Sequence, residues 1–550
     1  MYKVASFRNF CGTLLGGLLL AACGPNNNEA SPTYSAGQVT AAGQTRMTFY
    51  AASRAADQVS FGATPALVAD LQQKGLEAWI EDQFATPIGR IDLPFDVMNI
   101  NGMDAEAQQK EGTYFYRLLL QKWLAGQDQL RQRVAWSLLE FIPITTSHPP
   151  GNAQYFNVLQ GNAFANYADL LKGITLNAAM GFQLGNYLNR PRSSRCIGCT
   201  PNENFARELM QLFSLGVVQL NTDGTTVRDA SGKAKETYTQ KDVEELARAL
   251  TGWRFTPSNV PLAMDDGANN SVPMTPEDWD GAHDAGAKTV MGVNFPAGQT
   301  IYQDLDTAIA MIMAHPNVAP FVSLRFIQHL VTSDPSPQYL ARVAAVFRNN
   351  GKGVSGDMKA VVRSVLLDPE ARRGDSRGVD RIGIGKIREP MLWSTAAVRG
   401  LNCKNPFEGN DGHLMWVYTQ IPFNADSVFS FYLPTDRAPG SNLLAPEQRL
   451  LNTTQFLLSM NYLQSALLDR NNAVNSQAGC ELPLLANALR KSPDALIDLI
   501  ELRWFRGAMP PLLRANLVAL AGSQNWPDPN RAATQILGYA LTSAHFGVIQ

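Results

Sequence analysis

No common catalytic signature occurs in this sequence: glycine-rich phosphate loops, zinc-protease helices, nucleophile elbows and dinucleotide fingerprints are all missing. A basic excess is missing as well. The 46 lysines and arginines face 48 aspartates and glutamates, which gives a net charge of −2. Because a nucleic-acid-binding protein needs a basic face, the composition argues against nucleic acid as a partner.

Long apolar runs are absent after the N-terminal segment, where a short basic start precedes an apolar stretch from Leu14 to Leu20. This stretch is too short to span a bilayer. It ends in Leu20-Ala21-Ala22-Cys23, which resembles the lipobox of bacterial lipoproteins. We therefore predict a lipoprotein signal peptide over residues 1–22 and a lipid anchor, such as palmitate, on Cys23. An ordinary secretory peptide with an incidental cysteine is the alternative.

The segment that follows, residues 23–46, is rich in asparagine, serine, alanine and glycine, which predicts a flexible tether. Gly24, rather than aspartate, follows the lipobox cysteine. In Gram-negative lipoproteins this resembles default sorting to the outer membrane, on its periplasmic face or at the cell surface. Nothing in residues 47–550 resembles an interdomain linker, so we predict a single large helical domain there, although the length alone also allows two lobes.

The densest helix signals lie near the middle of the chain. The run Thr200-Pro201-Asn202-Glu203 has the spacing of a capping box with proline at the first helical position. Gly216 is the natural stop of this helix. A second helix is predicted to begin at Thr239, with Asp242 three residues later, and to end at Gly252-Trp253.

These helices carry a family resemblance. The runs Asn202-Glu203-Asn204-Phe205-Ala206-Arg207-Glu208-Leu209 and Ala247-Arg248-Ala249-Leu250-Thr251-Gly252-Trp253 resemble the signature of one bacterial family, the domain of unknown function 1800. The resemblance extends from about Arg54 to Leu450, and includes the blocks Leu130–Phe141, Lys386–Pro390, Ser427–Pro434 and Ala445–Glu447. The gene context of this family implies an exported protein as a partner.

Strand signals are sparse, so we predict a mainly α fold: a large multi-helix globular domain with long loops and few short strands. The most suggestive polar group is His283-Asp284 with Lys288, because an imidazole beside a carboxylate serves as a metal-ligand pair or as a general base with its orienting partner.

The alternative interpretation is structural: Arg207, Glu208, Glu245 and Arg248 form ion pairs that fix the two helices. An unpaired Glu208 would be costly to desolvate, so we expect it to pair with Arg248 or with a metal. The candidate catalytic or binding residues are therefore His283, Asp284, Lys288, Asn204, Arg207, Glu208, Asp242, Glu245, Arg248 and Trp253. The cofactor is left unknown by the sequence, and so is the identity of any metal.

The other histidines are scattered without ligand spacing, and we interpret them as surface or capping residues: His148, His315, His329, His413 and His545. Four cysteines remain in the mature chain, namely Cys196, Cys199, Cys403 and Cys480. An oxidising envelope favours two disulfides, with a local structural one between Cys196 and Cys199. A redox motif and a zinc site of all four thiols are the alternatives.

Two functions stay open at this point. In the first, the protein is a non-catalytic helical scaffold or binding component at the outer membrane, with a protein or carbohydrate partner. In the second, it is an envelope hydrolase that uses His283, Asp284 and nearby carboxylates, with or without a metal. Whether these polar residues line an open cleft or are sealed between helices discriminates between the two.

The lipobox interpretation predicts the outcome of one substitution. We expect Cys23→Ser to leave an unprocessed, unlipidated precursor and to lower the membrane-associated fraction, because the thiol is the attachment point. Metabolic labelling with a fatty acid and fractionation of the envelope measure both effects. Unchanged lipid labelling in the variant would rule out Cys23 as the anchor.

Overall fold

The structure is a computed structural model, and Cys23, the predicted signal peptide and most of the predicted tether lie outside the residues it describes. His148 and His413 lie outside them as well. The described residues are 38–39, 45–93, 105–145, 149–193, 195–257, 268–269, 272–377, 384–403, 420–452, 454–455, 457–458, 480–523 and 526–549.

Helices dominate this part of the chain. In order they are α1 (Phe49–Val59), α2 (Pro65–Lys74), α3 (Leu76–Ala85), α4 (Ala105–Ala125), α5 (Gln129–Phe141), α6 (Pro149–Asn162), α7 (Tyr167–Thr175), α8 (Ala178–Gln183), α9 (Asn204–Gln211), α10 (Gln240–Ala249), α11 (Ile301–Ala314), α12 (Val318–Leu330), α13 (Pro337–Arg348), α14 (Met358–Leu367), α15 (Pro369–Arg372), α16 (Pro390–Gly400), α17 (Leu482–Lys491), α18 (Pro493–Trp504), α19 (Pro511–Gly522) and α20 (Pro529–Leu541). Two short 3-10 helices span Arg373–Asp375 and Pro446–Leu450.

The strands are two or three residues long and pair in antiparallel twos. The pairs are β1 (Gln38–Val39) with β2 (Thr45–Arg46), β3 (Trp253–Arg254) with β6 (Thr275–Pro276), β4 (Thr256–Pro257) with β5 (Ala268–Asn269), β7 (Lys288–Val290) with β8 (Val293–Phe295), and β9 (Lys386–Ile387) with β10 (Val548–Ile549). This confirms the prediction of a mainly α fold with few short strands.

Local sequence signals set many helix starts. Thr64, Ser336 and Asp528 each precede a proline, and each side chain accepts a backbone N–H from the first turn of its helix. The capping box predicted at Thr239 and Asp242 is confirmed, with both reciprocal hydrogen bonds present at the start of α10. Capping of this kind contributes about 1 kcal/mol per helix.

The start predicted for the other central helix is wrong. This helix, α9, begins at Asn204 rather than near Thr200, and its N-cap Glu203 makes no side-chain cap hydrogen bond within the described structure. Instead the side-chain oxygen of Asn202 accepts the backbone N–H of Asn204 at 2.9 Å. An asparagine turn of this type competes with the capping box for the same backbone donors.

The predicted stop at Gly216 is also late, because α9 ends at Gln211. Gly216 nevertheless closes the following turn with a positive φ of 77°. A Cβ at this position would lie 3.0 Å from the ring of Phe321 on α12. Glycine therefore lets the end of the central stretch lie against α12.

A buried asparagine fixes the same contact from the side of α12. The amide of Asn317, 1% exposed, donates to the carbonyls of Leu215 at 3.1 Å and Val218 at 2.7 Å. Its side-chain oxygen accepts the backbone N–H of Leu220 at 2.9 Å. One side chain thus satisfies three buried backbone groups of the segment after α9.

Buried apolar side chains form two clusters. The larger one includes residues from Met47 to Phe423 together with Ile549, and the smaller one is formed mainly by α17 to α20. Helix α16 contributes to both, since Met391 and Leu392 pack in the larger cluster while Trp393 packs in the smaller one. The N-terminus of α16 is therefore surrounded by packed side chains of both clusters.

In the part of the chain that the structure describes, no single helix has both the length and the hydropathy of a membrane span. One bent pair, α11 with α12, passes by length and composition, with a bend of 77° between the two helices.

Candidate functional site

His283 has one hydrogen-bond partner and lies near one carboxylate without hydrogen-bond geometry to it, and neither is its neighbour Asp284. Its Nδ1 lies 2.9 Å from the carbonyl oxygen of Thr251, and its Nε2 lies 3.3 Å from Oδ2 of Asp304. Because a carbonyl only accepts, Nδ1 carries a proton in this arrangement. The carboxylate that faces the imidazole thus comes from α11.

Lys288 is sealed beside the same carboxylate. Its Nζ donates to Oδ2 of Asp304 at 2.7 Å and to the carbonyl of Gly286 at 2.9 Å. The side chains of Lys288 and Asp304 are both fully buried. Removing one member of such a pair typically costs about 3–5 kcal/mol, so this contact anchors β7 to α11.

Asp284 is bound by Arg248 instead. The guanidinium of Arg248 makes a two-pronged contact with Asp284, at 2.8 and 3.1 Å, and a further bond of 2.6 Å with Glu245. Burial by itself would raise the pKa of Asp284, but the hydrogen bonds from Arg248 and the Gly286 backbone outweigh it and lower that pKa. Both carboxylates are therefore ionised partners of one arginine.

The remaining predicted residues have structural partners or lie elsewhere. The carboxylate of Asp242 accepts the backbone N–H of Thr239, as part of the capping box, and the backbone N–H of Met291 at 2.6 Å. Arg207 pairs with Glu203 at 2.8 Å, Asn204 is exposed at the start of α9, and Trp253 is fully buried. The structure therefore brings His283, Asp284, Lys288, Glu245 and Arg248 into one region, and they are bonded largely to structural partners.

Glu208 lacks the ion-pair partner that the sequence analysis predicted. It does not pair with Arg248, whose described carboxylate partners are Glu245 and Asp284. Its Oε2 is buried without a hydrogen-bond partner among the described residues. Burial raises the pKa of Glu208, and the nearby charge of Arg207 offsets part of that rise. The predicted ion pair is wrong because Asp284 offers Arg248 a bidentate contact from the neighbouring loop.

The four cysteines among the described residues are bonded in two pairs, Cys196 with Cys199 and Cys403 with Cys480. The first closes a local turn ahead of α9. The second joins the segment after α16 to the start of α17 and closes a loop of 77 residues in sequence. A cross-link over a long loop restricts the unfolded chain more than a short one.

A second polar region, which the sequence did not indicate as a site, lies at the end of α5. Glu140 is in the last turn of α5, and His329 is in the last turn of α12. Phe141 stacks on the His329 ring at a centroid distance of 6.1 Å. The two helix ends therefore present an acid and an imidazole on the same side of the larger core.

Both groups are deeply buried, Glu140 at 3% and His329 at 6% exposure. Neither carboxyl oxygen of Glu140 finds a partner of good hydrogen-bond geometry within the described structure, although the amide of Gln420 lies beside it. Nδ1 of His329 is likewise without a partner there. Most buried polar groups are hydrogen-bonded in folded proteins, so both groups have hydrogen-bonding capacity that the described residues leave unused.

An ion network lies directly behind them. Lys386 Nζ, fully buried, contacts Glu389 at 3.1 Å and Glu447 at 3.0 Å. Gln420 and Tyr432 both donate to Glu389, at 2.5 and 3.3 Å. The network joins β9, the N-cap of α16 and the 3-10 helix at Pro446–Leu450.

Arg133 joins the same group from α5, because residues seven apart lie on one helix face. Its Nη2 donates to the backbone carbonyl of His329 at 2.6 Å. Its Nε and Nη1 have no partner among the residues described. The arginine is 0% exposed, so its charge acts in a medium that screens it weakly.

These surroundings push two carboxyl pKa values apart. Burial would raise the pKa of Glu389, but Lys386 and Arg133 outweigh it, so that pKa is lowered. Burial and the nearby Glu389 charge raise the pKa of Glu140 well above its usual range. Burial, followed by Lys386, Arg133 and Arg325, lowers the pKa of His329. These shifts favour the uncharged form of Glu140 and the neutral form of His329, a combination that suits proton donation and ligand binding.

A cavity of about 40 Å³ lies over this pair. One water molecule needs about 10–15 Å³, so the cavity has room for a small group. Phe429 is 38% exposed and lines its outer side, which brings the wall to the protein surface. We name it the Glu140 chamber, lined by Glu140, Phe141, Leu212, Phe321, Arg325, His329, Val428, Phe429, Tyr432 and Pro434.

The loop that forms the outer wall is strained. Ser430 is buried and has a φ of +64°, in the left-handed region that non-glycine residues rarely adopt. Such outliers persist only where the surroundings hold them, and they concentrate at functional sites. The strain falls between Phe429 and Tyr432, two of the chamber residues.

The chamber corrects the interpretation of His329 and brings together several blocks that carry the family resemblance. His329 is buried rather than a surface or capping residue, whereas His315 caps α11 and His545 is exposed. The blocks around Glu140, Lys386–Glu389, Phe429–Tyr432 and Glu447 all carry the family resemblance, which is the signal that could have identified them together. Within the described residues, no three His, Cys, Asp or Glu side chains are arranged to hold a metal ion.

Comparison with known proteins identifies one family. The model for DUF1800, described as a protein of unknown function, matches residues 54–548. No curated protein and no solved structure matches the chain. The matched region contains both the His283 region and the Glu140 chamber.

The raised pKa of Glu208 predicts a pH-dependent stability effect. A carboxyl group whose folded-state pKa is raised favours folding at low pH, and this contribution is lost as the pH rises through the folded pKa. We therefore expect Glu208→Gln to raise the melting temperature at pH 8. This gain should shrink on acidification and disappear below the ordinary pKa of 4.5.

Thermal melts followed by circular dichroism across this range measure the effect, with the exposed Glu236→Gln as a control. A lower melting temperature of Glu208→Gln at pH 8 would mean that the Glu208 carboxylate has a stabilising partner.

Proposed function

The chain belongs to the DUF1800 family, and we propose that it is a lipid-anchored protein of the bacterial cell envelope that binds a small molecule in the Glu140 chamber. The proposed location at the outer membrane rests on the N-terminal pattern that ends at Cys23. An exported protein partner, implied by the family's gene context, is part of the same proposal.

One observation carries the binding function: Glu140 and His329, two buried side chains with polar atoms that lack partners among the described residues, form the floor of a cavity whose wall reaches the surface. Ligand sites are typically concave and mostly apolar, with a few polar groups that fix orientation. The chamber has this composition, with aromatic and aliphatic walls around Glu140 and His329. Exposed Phe429 gives a ligand an apolar surface at the entrance.

The His283 region supports a structural role for its residues. Arg248 holds Glu245 and Asp284, and Asp304 holds Lys288. A general base needs access to a substrate proton, whereas Lys288 and Asp304 are fully buried. This arrangement favours the non-catalytic interpretation at His283 and Asp284.

The hydrolase alternative draws its support from the chamber instead. Glu140 and Glu389 are carboxyl groups with oppositely shifted pKa values, and such a split assigns one group as acid and the other as anion. Glu389 is held by Lys386, Gln420 and Tyr432, so Glu140 with His329 would be the pair that meets a substrate. Binding is the property that both functions share.

The binding proposal is tested by filling the chamber. Val428 lines it, and Val354, 44% exposed on a distant loop, does not. We expect a panel of small acids, sugars and amines to include a compound that raises the melting temperature of the mature protein and of Val354→Trp, but not of Val428→Trp. A ligand at 100 times its Kd stabilises the folded state by about 2.7 kcal/mol.

Equal stabilisation of Val428→Trp would show that the compound binds outside the Glu140 chamber. A panel without any stabilising compound would contradict the binding function. Circular dichroism verifies that each variant is folded, and Val428→Leu, a smaller change at the same wall, serves if the tryptophan prevents folding.

A further inference from the structure

We propose that the ligand of the Glu140 chamber is a small organic carboxylate, held by Arg325 at the entrance and by Glu140 and His329 at the floor. The inference rests on the proposed binding function and specifies its ligand class. It follows from the charges around the chamber, from the hydrogen-bond donors that face it, and from its apolar wall.

The charges around the chamber do not balance. Three cations, Arg133, Arg325 and Lys386, act on His329 at its floor, and Arg325 also lines the chamber. Two carboxylates oppose them, Glu389 and Glu447, both in contact with Lys386. With Glu140 in its uncharged form, these five groups carry one net positive charge, which one carboxylate of a ligand would neutralise. A phosphate dianion would instead leave one net negative charge in a weakly screened site.

Arg325 is the cation placed to meet this anion. Its Nη1 donates to Gln328 at 2.8 Å, and its guanidinium lies over the Phe321 ring at 5.0 Å. No carboxylate lies within 4.0 Å of it in the described part of the chain. Burial lowers the pKa of Arg325 to about 10, so the side chain is charged at neutral pH.

The floor of the chamber supplies hydrogen-bond donors rather than a negative charge that would repel the ligand. A protonated carboxyl donates through its O–H, and a neutral imidazole donates through one of its two ring nitrogens. Glu140 and His329 therefore both offer a hydrogen bond to a carboxylate oxygen. Tyr432 completes the polar side, although its hydroxyl already donates to Glu389.

The wall selects an organic anion over an inorganic one. Leu212, Phe321, Val428 and Phe429 face the chamber between its entrance and its floor. Apolar atoms buried against such a wall contribute about 25 cal/mol per Å². A carboxylate with a short apolar part matches both the single charge and this wall.

Binding of an anion here is coupled to the proton on Glu140. When the pH rises through the pKa of Glu140, that side chain becomes negative and repels the ligand, so affinity falls. The other groups facing Glu140 are Glu389, Lys386 and Arg133, and these stay charged over the same range. His329 gains charge only well below its ordinary pKa, so it adds affinity at acidic pH.

The test compares acetate with acetamide, its uncharged analogue of the same shape, and with inorganic phosphate. Isothermal titration calorimetry of the mature protein at several pH values gives affinities and proton uptake. We expect acetate to bind at least about tenfold more tightly than acetamide or phosphate, which is 1.4 kcal/mol. Its affinity should fall as the pH rises, with proton uptake on binding.

Three variants locate the effect. Arg325→Gln should weaken acetate binding at least about tenfold, whereas the surface variant Arg228→Gln should bind like the parent. Glu140→Gln stays uncharged at every pH, so it should retain acetate binding and lose the decline in affinity at high pH. A merely structural role for Glu140 would not change the pH profile in this way.

Equal binding of acetate and acetamide, or full affinity in Arg325→Gln, would overturn the carboxylate assignment. If sugars or amines stabilise the protein through the chamber while acetate does not, the assignment fails and the proposed binding function stands. If neither these probes nor the wider panel bind, the proposed function fails with it.

Discussion

The buried amine of Lys386 is the constraint on which the rest of this site depends. It lies between Glu389 and Glu447, and its own exposure is nil. β9 is held in place by β10, since Lys386 pairs with Ile549 in the two-stranded sheet. The last residues of the chain therefore fix the position of a charge at the centre of the molecule.

Burial and that charge together act on the acid–imidazole pair. Burial is the main cause that raises the pKa of Glu140, and the negative charge of Glu389, which Lys386 and Arg133 keep ionised, adds to it and opposes the direct effect of the two cations on Glu140. Burial is also the main cause that disfavours a positive imidazole at His329, and the same two cations act with Arg325 in that direction. Burial and one ion network thus act together on both groups of the chamber floor. The network is costly to bury, which agrees with a role beyond stabilising the fold.

The central helices connect this chamber to the stretch with the densest sequence signals. Leu212, which follows α9, lines the chamber, and Gly216 lies against Phe321 of the opposite wall. The α9–α10 region therefore supports the site from outside, while several of its own polar residues, Arg207, Asp242 and Arg248 among them, are used in caps and ion pairs. This separation explains why a stretch rich in motif residues need not contain the reactive groups.

Local signals predicted local structure well. The mainly α fold and the capping box at Thr239 both depend on neighbouring residues, and the structure has both of them. The start of α9 was missed because Asn202 and the Thr200–Glu203 box compete for the same backbone donors, and local sequence does not decide between them.

Local sequence signals did not predict the Glu140 chamber. Its charged residues come from four separate segments, between Arg133 and Glu447, and no sequence spacing relates one segment to another. The helical period of α5 predicts one apolar face and gives no reason to bury Arg133 and Glu140 as well. Only tertiary packing encloses them, and pKa shifts arise from that enclosure. The family resemblance grouped these blocks without indicating what they do.

The central claim is that Glu140 is an uncharged acid at neutral pH. Infrared difference spectroscopy between the parent and Glu140→Gln measures this directly, because a protonated carboxyl has a carbonyl stretch distinct from that of a carboxylate. The account predicts a protonated-acid band in the parent at neutral pH that is absent from the variant and disappears on raising the pH. Identical spectra in the protonated-acid region, with a carboxylate band lost instead, would contradict it.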